Sequence, residues 1–202
     1  MRKITPKTLV AVVVVLLVLL GGCGYLANAL YWHPQDVPWI RTFVTRVPVP
    51  IAQVEWQYVR YADYLAQQDA TRVFLHSPVT QGQNMPKDLD TAGNKMILDQ
   101  LIRAAAVRSM AQTANIKLTS DDVDKSYDAL IARAGTSTDP GEITTYLRDA
   151  FGWNVDTFKQ KVVAPATLET AVRQEVYKND DAAFEKALEE KLKKTVKYIR
   201  LN

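Results

Sequence analysis

Side chains able to do chemistry are few in this chain, and their spacing does not suit it. The single cysteine, Cys23, leaves room for neither an intramolecular disulfide framework nor a cysteine-rich zinc site. The two histidines, His33 and His76, have no metal-ligand spacing around them and read as ordinary polar residues. Paired carboxylates could start acid–base or metal chemistry, and two such pairs occur, Asp121/Asp122 and Asp180/Asp181. Both stand where a helical pattern begins, in Thr119-Ser120-Asp121-Asp122 and Asn179-Asp180-Asp181. There acids satisfy free backbone amides and meet the positive end of the helix dipole, so capping accounts for them. No nucleophile can be paired with a base. The expectation is no catalytic residue, no metal ligand and no cofactor.

Charge narrows the partners. The formal charge of +3 is carried by Arg2, Lys3 and Lys7, and the remaining 22 basic residues equal the 22 acidic ones. A body of balanced, mixed sign has no electrostatic footprint for nucleic acid. The 202 residues leave room, beyond the N-terminus, for one domain with a real core.

The elements that would carry such a core are mostly helical. Lys95 to Asn115 is the longest uninterrupted helical pattern outside the N-terminus. Ile97, Leu101, Ala104, Ala105, Arg108 and Ala111 recur at three- and four-residue steps, and Leu98 and Ile102 widen the apolar side, which predicts a central rod. Before it, Ile51 to Val59 alternates like a strand or strand pair, and a helix is predicted from Arg60 to His76, stopped by Ser77-Pro78. Val79 to Asp90 reads as a long loop. After it, one helix starts at Thr119–Asp122, buries Val123, Tyr127, Leu130, Ile131 and Ala134, and stops at Gly135. Another is capped by Asp139-Pro140-Gly141-Glu142 and ends near Phe151-Gly152. A longer helix from Asn154 is expected to kink at Pro165. A last helix turns Phe184, Leu188 and Leu192 inward and exposes the pairs Glu189/Lys193 and Glu190/Lys194. Thr195 to Leu201 is β-like and is expected to pair with Ile51 to Val59, joining the ends of the domain.

The N-terminus reads as an anchor. Residues 1–7 form a basic cytoplasmic tail, and residues 8–32 a transmembrane helix or signal-anchor long enough to cross a hydrocarbon core of ~30 Å at ~1.5 Å per residue. Tyr31, Trp32 and Trp39 suit the far interface, which leaves the body outside the membrane. Leu20-Gly21-Gly22-Cys23 also resembles a lipoprotein lipobox, so a lipid anchor at Cys23 is the alternative, and a cleaved secretory signal is a third. Residues 33–50, with Pro34, Pro38, Pro48 and Pro50, read as an extended spacer, and residues 51–202 as the domain.

The order of these elements resembles the N-terminal domain of SurA-like and PrsA-like extracytoplasmic chaperones. Val54 to Tyr64 is similar to the family's V-N-G-x-x-I-x-x-x-D-F, with Val54, Val59, Asp63 and Tyr64 in register and Glu55-Trp56 in place of Asn-Gly. Leu98-Asp99-Gln100-Leu101-Ile102 resembles L-x-Q-L-I. Ala114 to Asp124 is similar to A-x-x-x-G-I-x-V-S-D-E-E-V-D, and Phe151 to Phe158 to G-L-T-L-E-E-F. The likeness covers residues 51 to 178. It implies a mainly α fold, a helical bundle with short strands pairing its two ends, and a function of binding unfolded or extended polypeptide. Relatives often carry a parvulin prolyl isomerase domain. The residues after Val176 lack its length and paired histidines, so no catalysis is expected.

Under that resemblance the candidate peptide-binding residues are Trp56, Tyr61, Phe74, Met85, Met96 and Trp153, with Tyr64 and Phe158 expected in the core, because aromatic and methionine side chains adapt to varied apolar partners. Expected partners are unfolded or secreted polypeptides and, through residues 8–32, a lipid bilayer. A non-catalytic structural or adaptor subunit of an envelope assembly is the alternative.

Overall fold

The computed structural model describes residues 24–32, 36–81, 83–133 and 140–201. These residues form a mainly helical body with a three-stranded antiparallel sheet at one side. Strand β1 (Pro50–Val54) lies between β2 (Gln57–Arg60) and β3 (Val196–Lys197). Ala52 faces Val59 on one side and Lys197 on the other, and Tyr198 N–H donates to the Ile51 carbonyl at 2.8 Å. The expected pairing of the domain's two ends is therefore present.

Helix α1 (Pro38–Arg46) occupies the stretch read as a spacer. This corrects the sequence expectation, and the physical reason is local. Pro38 sits at the first helical turn, where its missing N–H costs nothing, and Ile40 and Val44 one turn apart are both buried. Arg41 and Arg72 hold Asp36 between them, and Arg41 also grips Asp69, fastening α1 to α2 (Tyr61–His76). The end of the expected membrane span is also accounted for differently. Ala29 and Leu30, in a π-helical turn (Asn28–Trp32), are buried in the domain core, and Arg200 N–H donates to the Tyr31 carbonyl at 2.8 Å. Residues 8–23 of that span lie outside the described residues, among which no helix is long and apolar enough to cross a membrane.

Helix α3 (Thr91–Thr113) is the central rod, starting earlier than its apolar pattern because Asp90 accepts from Gly93 N–H at 2.7 Å. It buries residues on almost every side, from Ile97 and Leu98 through Ala105, Ala106 and Val107 to Ser109 and Met110, as a helix surrounded by partners does. Asn115, at φ 56°, ends the helical turn, as the sequence suggests.

Helix α4 (Ser120–Arg133) has a reciprocal cap. Thr119 N–H donates to the Asp122 carboxylate at 2.9 Å, and Asp122 N–H donates back to Thr119 Oγ1 at 3.2 Å. Its expected buried side is not buried, however. Val123, Tyr127 and Ile131 are half-covered and Leu130 is 44 % exposed, because α4 lies on the rim of the body rather than inside it. Ala134, Gly135 and Asp139 fall outside the described residues.

Helix α5 (Pro140–Phe151) stops at Gly152, whose φ of 69° favours glycine. Asn154 caps α6 (Val155–Phe158), which passes through five π-helical residues (Lys159–Val163) into α7 (Ala164–Glu175). The wider π turn stands directly before Pro165, which lies in the first turn of α7 and has no N–H to give. Helix α8 (Asp181–Lys193), capped by Asp180, buries Phe184 and Leu188 completely and Leu192 in part. Arg103 of α3 and Arg173 of α7 share Glu169 and Glu185, tying α3, α7 and α8 together.

Candidate functional site

A trough runs along α3. One wall is α3 itself, where Ala104 and Ala111 present only methyl groups. The other is the π turn and start of α7, with Gln160, Ala164, Pro165 and Leu168. Strand β2 closes one side through Tyr58, Val59 and Arg60. The trough has two halves, of about 690 and 600 Å³. Ala104, Arg108, Gln160 and Pro165 line both halves and make them continuous. Volumes of this size suit a ligand of several residues.

Two small-residue faces create the gap, and charged residues line it. Asp63 receives hydrogen bonds from Lys161 at 2.8 Å and Arg60 at 3.0 Å. Burial opposes ionisation of Asp63, but those two hydrogen bonds outweigh it and hold the carboxyl below its ordinary value. Arg108 stands exposed on the α3 wall, and the walls around it lower its guanidinium pKa by taking away part of its water. Its side chain is nevertheless reachable from solvent, so it stays charged and accessible. Among the described residues no group of three or more His, Cys, Asp or Glu side chains is placed to hold a metal.

None of the six residues proposed from sequence lines this trough. Tyr61 is 1 % exposed and edge-on to Tyr64, so it fills the core and cannot meet a partner, which corrects its place among the candidates. Phe74 and Trp153 are half-buried on either side of Phe151, stacked at 5.3 and 5.5 Å. They brace α5 against α2. Trp56 is 73 % exposed at the tip of the β1–β2 hairpin, and Met85 is 41 % exposed in the loop before α3. Met96, 55 % exposed, borders a shallow dish with Leu192 and Arg103. Of the residues expected inside, Tyr64 is buried, whereas Phe158 is half-buried with its ring edge-on to Tyr127. His76 is exposed, and its Nδ1 lies 2.8 Å from the Arg72 carbonyl.

Sequence reading missed Arg108 as a site residue. The signal was present: a guanidinium at a three-residue step from Ala111 and a four-residue step from Ala104, inside what reads as an apolar face. A charge there has either a partner or an opening in front of it.

No protein-family model, curated protein or solved structure matches the chain.

Proposed function

We propose that the chain is a membrane-anchored, extracytoplasmic chaperone-like protein with a SurA/PrsA-like N-terminal domain, which holds unfolded or extended polypeptide and makes or breaks no bonds. The observation that carries this reading is the trough. It is long, continuous, walled by alanine, proline and leucine, and bordered by glutamines and cations. Such a surface accepts a stretched chain by apolar contact and dispersed polar contacts without requiring one sequence. The bilayer anchor lies in residues 8–23 with, at most, the few residues before Ala29. A lipid on Cys23 would do the same work, and the mass of the membrane-extracted protein distinguishes them.

The test is breadth. Purified protein should suppress aggregation of several unrelated denatured proteins and turn over prolyl peptides no faster than background. Protection of none of them would refute the holding function. The second reading is an adaptor docking one fixed partner, favoured by Trp56 and Tyr58, both exposed on the hairpin, since an exposed aromatic pair is a common anchor of a single interface. That reading requires one stoichiometric partner on purification and no general protection.

A further inference from the structure

The trough's charge does not balance. Among the described residues, Arg60, Arg108, Lys117 and Lys161 line it against the one carboxylate of Asp63. That carboxylate is already engaged by Lys161 and Arg60. Arg108 is left with no hydrogen bond to any described residue, and Asp63 acts on it only at a distance. An arginine on an open helix face needs no partner, because water solvates it. Arg108 differs in its place: exposed, it lines both halves of the trough between α3 and the start of α7, and the alanines a turn away on each side leave its guanidinium an open approach. A planar fork of donors facing such a space suits a carboxylate.

The position of Arg108 identifies which carboxylate. It belongs to both halves of the trough, near the middle rather than at an end. Lys117 lines one half, and Arg60 and Lys161 the other. A chain terminus would stop at one end, whereas cations spread along the length suit a segment that passes through. We infer that the trough takes an extended polypeptide segment by seating an internal Asp or Glu side chain on Arg108, with that residue's apolar neighbours against Pro165 and Leu168. This rests on the holding function proposed above and narrows its clients to acidic-apolar segments.

The experiment is fluorescence anisotropy with the full chain in detergent and short labelled peptides of mixed Leu and Glu. Matched peptides carry Gln or Lys for Glu, each with a free or an amidated C-terminus. The Glu peptide should bind about tenfold tighter than its Gln twin, the size of one charge-assisted pair that keeps some contact with water. Amidation should change nothing. Arg108→Gln should abolish the preference for the Glu over the Gln peptide, Arg108→Lys should retain part of it, and added salt should weaken it. Equal binding of Glu and Gln peptides, or an Arg108→Gln protein with the preference intact, overturns the inference and leaves the holding function standing. Affinity lost on amidation would move the contact to a chain terminus and also overturns it. A protein that binds no peptide and protects no client removes the holding function, and this inference with it.

Discussion

Replacing Glu55 with glycine sets two effects of opposite sign against each other. Glu55 occupies the β1–β2 turn at φ 52°, a left-handed conformation costing a non-glycine residue about 1–2 kcal/mol. Glycine would relieve that cost, though its looser unfolded chain returns about 0.5–1 kcal/mol of the gain. Against this stands the carboxylate, which accepts from Ser109 Oγ on α3 and from Lys191 Nζ on α8. Ser109 is fully buried, and an orphaned hydroxyl there costs about 1–3 kcal/mol. The ion pair adds about 1 kcal/mol, since both side chains keep roughly a fifth of their surface in water. The loss exceeds the gain, so Glu55→Gly should destabilise the domain by about 1–3 kcal/mol, or roughly 2–4 °C in Tm for each kcal/mol. Urea unfolding at pH 7 measures it, with Ser109→Ala in the background recovering part of the loss. The Lys191 and Ser109 hydrogen bonds hold the Glu55 carboxyl below its usual 4.5. A depressed acid stabilises above its unfolded pKa and ceases to as pH falls through the folded value. The gap between wild type and variant should therefore narrow below about pH 4.5. A Glu55→Gly protein as stable as wild type at pH 7 would refute the reasoning and show that backbone strain outweighs the carboxylate's contacts.

Other perturbations test neighbouring claims. Ile40→Ala should cost about 2–5 kcal/mol by urea unfolding, because α1 is part of the core; an unchanged midpoint would restore the spacer reading. Trp56→Ala should change stability by less than about 0.5 kcal/mol, since the ring is exposed, and should leave client protection intact if the trough is the site. Glu185 is depressed chiefly by its bond from Arg103, and Glu169 by bonds from Arg103 and Arg173 that outweigh the opposing effect of its burial. Their contribution is complete above the ordinary value of 4.5 and is lost as pH falls through the lower folded values, so acid unfolding should be shallower in an Arg103→Met/Arg173→Met protein than in wild type.

Local chemistry made much of this architecture legible. Thr119–Asp122, Asn154 and Asp180 cap helices as their types dictate, and Gly152 ends one. Phe184 and Leu188 point inward as their spacing predicts. Four prolines hid α1, although Ile40, Phe43 and Val44 recur at helical steps. A proline at the first turn starts a helix as readily as it ends one. The apolar side of α4 was visible, but how much another element covers it depends on where the helix docks. The trough was least visible, because its walls come from α3 and the start of α7, segments that meet only in the fold. Of those walls only Arg108, out of place on an apolar face, left a mark in the sequence.

The most direct test of client binding in the trough is site-specific photocrosslinking. Gln160 is exposed and lines both halves of the trough, whereas Glu190 is exposed on α8 and borders neither half. With a photoreactive residue at each position in turn, a denatured client should crosslink strongly from 160 and weakly from 190. Equal yields from both positions, or a yield from 190 alone, would contradict the account.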